Sequence, residues 1–393
     1  MRNTLVAKFG GTSVATPERI LNAAQKIAEE VRRGHHVAVV VSAMAGQTNQ
    51  LIDLARSFGP DSDRAEQDAI IACGKQVSAG LMAMALQSLG LKARSWQGWQ
   101  VPIQCDDLFG RAKIKGIDAP ELQQAVRGGE VPVITGFQGI SQDGRMVTLG
   151  RGGSDTTAVA LVSALDAQRC DIYTDVDGVY TTDPRIMPKA RKLNHVTFEE
   201  MLEMASAGAK VLETRSVAMA MRHNVNLQVR SSFTDEPGTM VVDEDNEMEK
   251  QKISGIAYSR DEAKVTLVGL PDKPGIAATI FEALAESHIN VDMIVQSASP
   301  DQSRTDITFS VGALNVDKAV DRLKSIEAKL EYKDIVFDPN VAKTSIIGTA
   351  MRSQPGIAKT MFSVLAEKGI NLHVISTSEI KISILIEDSY TEL

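Results

Sequence analysis

Over the first 242 residues, short apolar runs alternate with longer amphipathic ones. Leu5–Phe9, His36–Val41, Val131–Thr135, Asp171–Thr174 and Val225–Val229 are too short for helices and carry β-branched side chains that suit a pleated surface, so they predict strands. Between them, Pro17–Arg33, Glu66–Leu89, Ala119–Arg127, Asp155–Leu165, Phe198–Ala205 and Ala209–Arg222 predict helices. Gly136–Leu149, with Asp143-Gly144 near its centre, predicts a hairpin. Strands and helices in alternation give an α/β fold, a sandwich around a mostly parallel sheet.

The polar, acidic stretch Asp243–Lys252, DEDNEMEKQK, breaks this pattern and reads as a linker. Beyond it the chain repeats. Pro274-Gly275-Ile276-Ala277 recurs 81 residues later as Pro355-Gly356-Ile357-Ala358. The same offset carries Thr279 onto Thr360, Phe281 onto Phe362, Leu284-Ala285-Glu286 onto Leu365-Ala366-Glu367, Ile289-Asn290 onto Ile370-Asn371 and Ser297 onto Ser378. One fixed offset over so many positions marks a tandem duplication. Each copy reads strand, Pro-Gly turn, helix, strand, strand; the first adds a helix over Val316–Lys329 and a strand over Glu331–Phe337, a βαββαβ unit. A purely structural pair of sandwiches is the plainer alternative to a binding role.

The division expected is therefore 1–242, a linker at 243–252, a first repeat with its linker strand at 253–340 and a second at 341–393. The second copy lacks a last helix and strand, so the sequence is expected to be C-terminally incomplete. The sheet edge left open would be covered by a neighbour or by the linker strand Ile253–Tyr258.

With 393 residues, 43% of them apolar and 23% charged, the chain is globular and long enough for two or more domains. A net charge of −8 and no Lys/Arg blocks argue against nucleic acid or an anionic membrane as partner. Cys73, Cys105 and Cys170 are too few and scattered for a disulfide framework or a thiolate metal site, which fits a reducing compartment. No signal-peptide pattern and no run of roughly 18 uncharged apolar residues is found, so a cytoplasmic protein is expected.

Three glycine-bearing elements then stand out. Lys8-Phe9-Gly10-Gly11-Thr12-Ser13-Val14 lies where a strand turns into a helix; free N–H groups there make an anion site, or the glycines merely allow a tight turn. Leu149-Gly150-Arg151-Gly152-Gly153-Ser154-Asp155 opens another helix, which Asp155 could simply cap. Arg151 beside free N–H groups is suited to a multiply charged oxyanion. Neither loop has the GxxxxGKS/T or GxGxxG spacing of the standard nucleotide folds. Two loops with one cation each instead suggest a phosphoryl group held between strand ends during transfer. Tyr173–Tyr180, followed by Thr181-Thr182-Asp183-Pro184-Arg185, could hold a base and ribose with Arg185 on phosphate, or be a solvated turn.

Taken in order, KFGGTSV, Ser42-Ala43-Met44 with Thr48-Asn49, LGRGGSD and YTDVDGVYTTDPR resemble the aspartokinases of the amino acid kinase fold, and the repeats resemble tandem ACT domains. The resemblance spans essentially the whole chain. It implies a three-layer αβα sandwich followed by two ferredoxin-like ACT domains. It also implies transfer of the γ-phosphoryl of MgATP to the β-carboxylate of L-aspartate, giving 4-phospho-L-aspartate on the route to lysine, threonine and methionine.

Carried residue by residue, the resemblance has Lys8 neutralise the transferring phosphoryl group, with Gly10, Gly11 and Ser13 as donors to phosphate. Ser42 and Thr48 would line the aspartate pocket, Arg151 would hold the α-carboxylate and Asp155 would meet the ammonium. Thr174, Asp175 and Tyr180 would hold the adenosine, with Arg185 and Lys210 near the phosphates. Mg2+ would bind through phosphate oxygens and water rather than a protein cage.

One position departs from the family. Where members read Gly-Glu-Gln/Arg, this chain has Gly74-Lys75-Gln76, placing a cation beside the substrate ammonium, so aspartate binding or turnover is expected to be severely impaired. A compensating acid elsewhere is the alternative. Leu212-Glu213-Thr214-Arg215 stands where many members have Leu-His-Pro-Arg, and no consequence is drawn from it.

The resemblance further implies effector pockets in the repeats. Their candidates are Asp272, Gly275, Ile276, Ala277, Asn290, Asp292 and Gln296, and in the second copy Gln354, Gly356, Ile357, Ala358, Asn371, Thr377 and Ser378. Lysine and threonine are the expected ligands, and ACT pairing implies at least a homodimer. Two other readings stay open: a kinase of glutamate or acetylglutamate, against which the tandem repeats argue, and an amino-acid sensor with a kinase site disabled by Lys75. Retention of Lys8, Arg151 and Asp155 favours the kinase.

Overall fold

The computed structural model describes residues 3–59, 62–243, 253–298, 303–352 and 356–393, so Gln354 and most of the acidic linker lie outside the described residues. The chain forms two compact units: one holds most of the residues up to 243, and the other holds those from 253 onward together with Thr182–Ala190 and Ser206–Ala209.

In the first unit the strands are β1 (Thr4–Phe9), β2 (His36–Val41), β3 (Ala93–Trp96), β4 (Ile103–Cys105), β5 (Ile114–Ile117), β6 (Val131–Thr135), β7 (Gln138–Ile140), β8 (Met146–Thr148), β9 (Arg169–Thr174), β10 (His195–Thr197), β11 (Leu227–Ser231) and β12 (Thr239–Val242). The helices are α1 (Pro17–Arg32), α2 (Gln47–Arg56), α3 (Arg64–Ser88), α4 (Pro120–Arg127), α5 (Gly153–Leu165), α6 (Phe198–Ser206) and α7 (Thr214–His223). Eight strands form one sheet in the order β10-β12-β11-β9-β1-β2-β6-β3, parallel except where β11 meets β12. The predicted hairpin, β7 and β8, joins β4 and β5 in a separate four-stranded sheet.

Side chains alternate across the main sheet. Ala7, Phe9, Val37, Val39, Val41, Val131 and Val133 pack with α1 and α3 in one core. Lys8 points to the other face, where it meets Asp155 on α5. Helix α3 is apolar and long enough, by composition, to cross a membrane; here Ala79, Met82, Ala83 and Leu86 bury it in that core.

Helix starts differ from expectation where caps decide them. Asp63 accepts from Ala65 N and Glu66 N at 2.7 and 3.3 Å, so α3 begins two residues early. Gly152, left-handed at φ 70°, starts α5 before Asp155. Extended Glu213, not Ala209, precedes α7.

In the second unit, β13 (Gly255–Pro271), α8 (Ile276–Glu286), β14 (Val291–Ala298), β15 (Arg304–Val311), α9 (Val316–Lys324), α10 (Glu327–Leu330), β16 (Asp334–Ile347), α11 (Ile357–Glu367), β17 (Val374–Thr377) and β18 (Lys381–Glu387) follow in order. The predicted helix Val316–Lys329 is thus split in two, because Ser325 and Ile326 turn the chain. All six strands form one sheet, β14-β15-β13-β16-β18-β17.

Both long strands are shared between the repeats. Lys264–Val268 of β13 pairs with Asp334–Asp338 of β16 within the first copy, whereas Gly255–Ser259 pairs with Lys343–Ile347, the first strand of the second copy. The place of a fourth strand in the second repeat is therefore filled by the segment that precedes the first.

Lys343 joins the repeats electrostatically. Buried to 7% exposure, it reaches Glu262 at 3.0 Å and Asp292 at 2.8 Å. Burial alone would lower the lysine and raise Asp292; the two carboxylates outweigh this for Lys343, and the lysine does so for Asp292, so the ammonium is raised and the carboxyl lowered. Lys343→Ala leaves the buried Glu262 unpaired and is expected to destabilise the unit by roughly 3 kcal/mol. Asp292→Asn removes only a half-exposed partner and should cost no more than about 1 kcal/mol. Urea unfolding of the two variants checks the ranking; equal midpoints would contradict it.

Candidate active site

The C-terminal ends of the central strands lie in line, and the loops after them meet there. Phe9 is opposite Val41 and Tyr173, and Val41 is opposite Thr135. Each loop first extends the ladder: Gly10 N donates to Tyr173 O (3.1 Å), Ser42 N to Phe9 O (3.1 Å), Gly136 N to Val41 O (3.1 Å) and Ser232 N to Thr174 O (2.8 Å). In open α/β sheets this edge is where ligands bind.

Lys8 reaches the edge from β1, its Nζ 2.5 Å from Asp155 Oδ1 with both side chains almost wholly buried. Gly11 lies so close to the loop after β2 that a Cβ there would stand 2.9 Å from Ala43 O. The Gly10 N–H and the Ser13 hydroxyl are both engaged internally. Ser13 donates to Tyr173 O at 3.5 Å and accepts from Ser232 Oγ at 2.5 Å. Lys8 is likewise engaged, but by a side chain on another element rather than by its own loop. Ser42 is half-buried beside these loops.

Lys75 comes from α3 and is 4% exposed. Its Nζ donates to Thr48 Oγ1 at 3.0 Å and sits 3.8 Å from the centre of the Phe137 ring. No carboxylate among the described residues pairs with it. Burial pushes its pKa down to about 8. Phe137 itself was not apparent in the sequence: it is left-handed, φ 74°, and its ring and Cα crowd Gly153 at the start of α5. No signal in the residue pattern marks it, because a left-handed φ at a non-glycine residue shows only in the fold.

Arg151 is exposed between two left-handed glycines, with no partner among the described residues. Beyond β9, Thr174 Oγ1 bonds Asp175 at 3.1 Å. Tyr180 is anchored through its hydroxyl to Asp177 at 3.0 Å, and Lys192 reaches the same carboxylate at 3.2 Å. Burial raises the Asp177 carboxyl, but these two donors outweigh it and hold it low. Arg185 lies in the stretch grouped with the second unit, its guanidinium 2.7 Å from Asp183, and Lys210 is exposed.

In the second unit, Asp272, Gly275, Ile276, Ala277 and Gln296 line a cavity of about 380 Å3 with Lys273, Thr305 and Ile307. Gly275, at φ 98°, starts α8, whose first residues Ile276 and Ala277 are part of this lining. Asn290 is exposed and outside the lining, and Asp292 is held by Lys343. In the second copy Gly356 repeats the left-handed start at φ 109°. Ile357 is half-buried there, while Ala358, Asn371, Thr377 and Ser378 are exposed.

A sequence model of the amino acid kinase family matches residues 3–231, and ACT-domain models match 264–328 and 344–393. The chain is 49% identical over 389 residues to the aspartokinase of Mycolicibacterium smegmatis, spanning 98% of this chain and 92% of that protein. It is 48% identical over 390 residues to the aspartate kinase of Pseudomonas putida, spanning 99% and 95%. The chain belongs to the aspartokinases. The structure of E. coli aspartokinase III with aspartate and ADP superposes on this aspartokinase with a TM-score of 0.84 at 27% identity, covering 99% of this chain and 97% of that one. The lysine- and aspartate-bound structure of the same enzyme gives 0.78 at 26% identity, with the same coverage. The fold is accordingly an amino acid kinase sandwich followed by ACT domains, and the enzyme is an ATP-using aspartate kinase.

Gly152→Ala tests the loop. At φ 70° a side chain is strained, and a Cβ would lie 2.5 Å from Cβ and Cγ of Glu213. The variant should lose roughly 1–3 kcal/mol of stability. Urea unfolding beside the parent protein checks this, and an unchanged midpoint would contradict it.

Proposed function

We propose that the loops at this sheet edge transfer the γ-phosphoryl of ATP to the β-carboxylate of L-aspartate, giving 4-phospho-L-aspartate for lysine, threonine and methionine synthesis. The observation that carries the reading is the buried Lys8–Asp155 pair at the helix start that follows Arg151, which has no partner among the described residues. Lys8 and Asp155 neutralise one another; when phosphoryl oxygens draw Lys8, the substrate ammonium replaces it at Asp155, and the local charge is conserved. Arg151 takes the α-carboxylate, where a planar fork is favoured over a point charge. Ser42 and Thr48 border the aspartate. Thr174, Asp175 and the anchored Tyr180 serve the adenosine, and Lys210 and Arg185 serve the phosphates. Gly10 and Ser13 act in this reading as spacers, since their donors are already engaged.

Mg2+ fits as part of the nucleotide substrate. No cluster of three His, Cys, Asp or Glu forms among the described residues, so the ion would be held by phosphate oxygens and water. The enzyme is proposed to act in the cytoplasm as at least a homodimer joined through its ACT domains.

Lys75 sets the efficiency. An ammonium about 4 Å from it would be repelled by roughly 4 kcal/mol at an effective dielectric near 20, before relaxation. That favours a second reading for this chain, a weakly catalytic amino-acid sensor. ATP- and aspartate-dependent acyl phosphate, trapped as hydroxamate, decides between them. Lys75→Glu should lower KM for aspartate at least tenfold. Because the lysine loses its proton near pH 8, kcat/KM for aspartate should also rise between pH 7 and 9, more steeply than in Lys75→Glu. Equal constants for the two proteins would remove the idea.

E. coli aspartokinase III has been crystallised with lysine, and we read the cavity at Asp272 as a site for lysine or threonine. A carboxylate faces the ammonium, and the N–H groups at the start of α8 face the carboxylate. Feedback inhibition follows if the ligand binds a low-activity state more tightly. Lysine or threonine should raise the melting temperature of the protein, and Asp272→Asn should abolish the shift. No shift with either amino acid would end this assignment.

A further inference from the structure

Two charged side chains near the active site bind only the protein's own main chain and one hydroxyl. Asp68, on α3 and 2% exposed, accepts from Gly110 N at 2.8 Å, Thr148 N at 2.7 Å and Thr148 Oγ1 at 2.7 Å. Arg215, on α7 and half-buried, donates to Leu149 O and Ala112 O, each at 2.7 Å. Neither forms an ion pair with a described residue.

Their partners belong to one ribbon. Residues 110–112 run beside 148–150, joined by Ala112 N to Thr148 O at 2.9 Å, and a Cβ on Gly150 would stand 2.9 Å from Gly110 O. Asp68 takes N–H groups from both segments, and Arg215 takes carbonyls from both. The next residue is Arg151. It stands between Gly150 at φ 75° and Gly152 at φ 70°, a stretch of backbone that rotates easily by itself. Leu149 N also donates to Phe137 O at 2.8 Å, which ties the ribbon to the ring beneath Lys75. Charged donors and acceptors make stronger hydrogen bonds than neutral ones, so the clamp is stiff where the loop is soft.

We propose that Asp68 and Arg215 are positioning residues that aim Arg151, acting through the 148–150 ribbon without touching a reactant. The proposal rests on Arg151 holding the α-carboxylate of aspartate. It gives α3 two duties about two turns apart: Asp68 fixes the loop that carries Arg151, and Lys75, seven residues on, enters the pocket itself.

The test is a double-mutant cycle in the 393-residue chain. Asp68→Asn, Arg215→Lys and Arg151→Ala are made singly, and the first two are also made in the Arg151→Ala background. Asparagine cannot accept at both former oxygens. Asp68→Asn should lower kcat/KM for aspartate at least tenfold and leave KM for ATP within twofold. Its effect should vanish when Arg151 is already alanine. Arg215→Lys keeps one donor and should lose less. A full, additive loss in the Arg151→Ala background, or an equal rise in KM for ATP, overturns the clamp and leaves the role of Arg151 standing. No effect of Arg151→Ala on aspartate kinetics overturns both. Should Asp68→Asn fail to fold, the Arg215→Lys arm decides by the same criterion.

Discussion

Phe9 sits in the middle of the eight-stranded sheet, opposite Val41 on one side and Tyr173 on the other, its ring stacked on that of Tyr173 with centroids 4.6 Å apart. Each of the two rings is fully buried and contributes on the order of 2–3 kcal/mol, so this register is strongly held. A slip by one residue would put Phe9 on the α5 face and Lys8 into the α1–α3 core. Because β1, β2, β6 and β11 end within a residue of one level, the loops beyond them can extend the ladder by one bond each. Everything placed in the active site depends on that alignment.

Around it, charge is distributed unevenly. Lys8 is neutralised by Asp155, whereas Lys75 has, among the described residues, a hydroxyl and an aromatic face but no carboxylate. A shift from 10.5 to about 8 corresponds to roughly 3 kcal/mol against the protonated form. The unfolded chain binds that proton more tightly, so stability rises with pH between those two values and the full penalty holds below pH 8. A cation–π contact recovers about 1–2 kcal/mol when desolvated. An acidic residue at this position would have carried no such penalty toward an ammonium ligand. The lysine is therefore held by the fold at a cost that the Thr48 hydroxyl and the Phe137 ring only partly offset.

The alternation of apolar runs, the glycine loops and the duplication were readable in the sequence because each is a local pattern. Helix starts were misjudged by a few residues where a cap, Asp63 or Gly152, lay outside the periodic stretch. Asp68 and Phe137 escaped notice, and Arg215 was seen but given no role, for a different reason: their partners lie far along the chain, and an aspartate inside an apolar helix looks like an irregularity until Thr148 and Gly110 are seen beside it. Asp292 shows the converse. An acid in an expected pocket reads as a ligand group, but Lys343, about fifty residues on, has taken it. Residue type announces what a side chain can bind; only the fold decides which partner arrives.

The duplication hides a dependence in the same way. By sequence the two repeats look like consecutive beads, yet β13 and β16 each run through both. The first half of β13 completes the second repeat, and its far end, at Pro271, borders the cavity that also holds Asp272. The two halves of β13 meet where its register against β16 shifts between Ser259 and Lys264, and there Glu262 pairs with Lys343. A register shift interrupts the ladder, so the buried ion pair at that point helps fix how the two halves sit against β16. The repeats therefore share a single sheet, and the second is completed by the strand that begins the first.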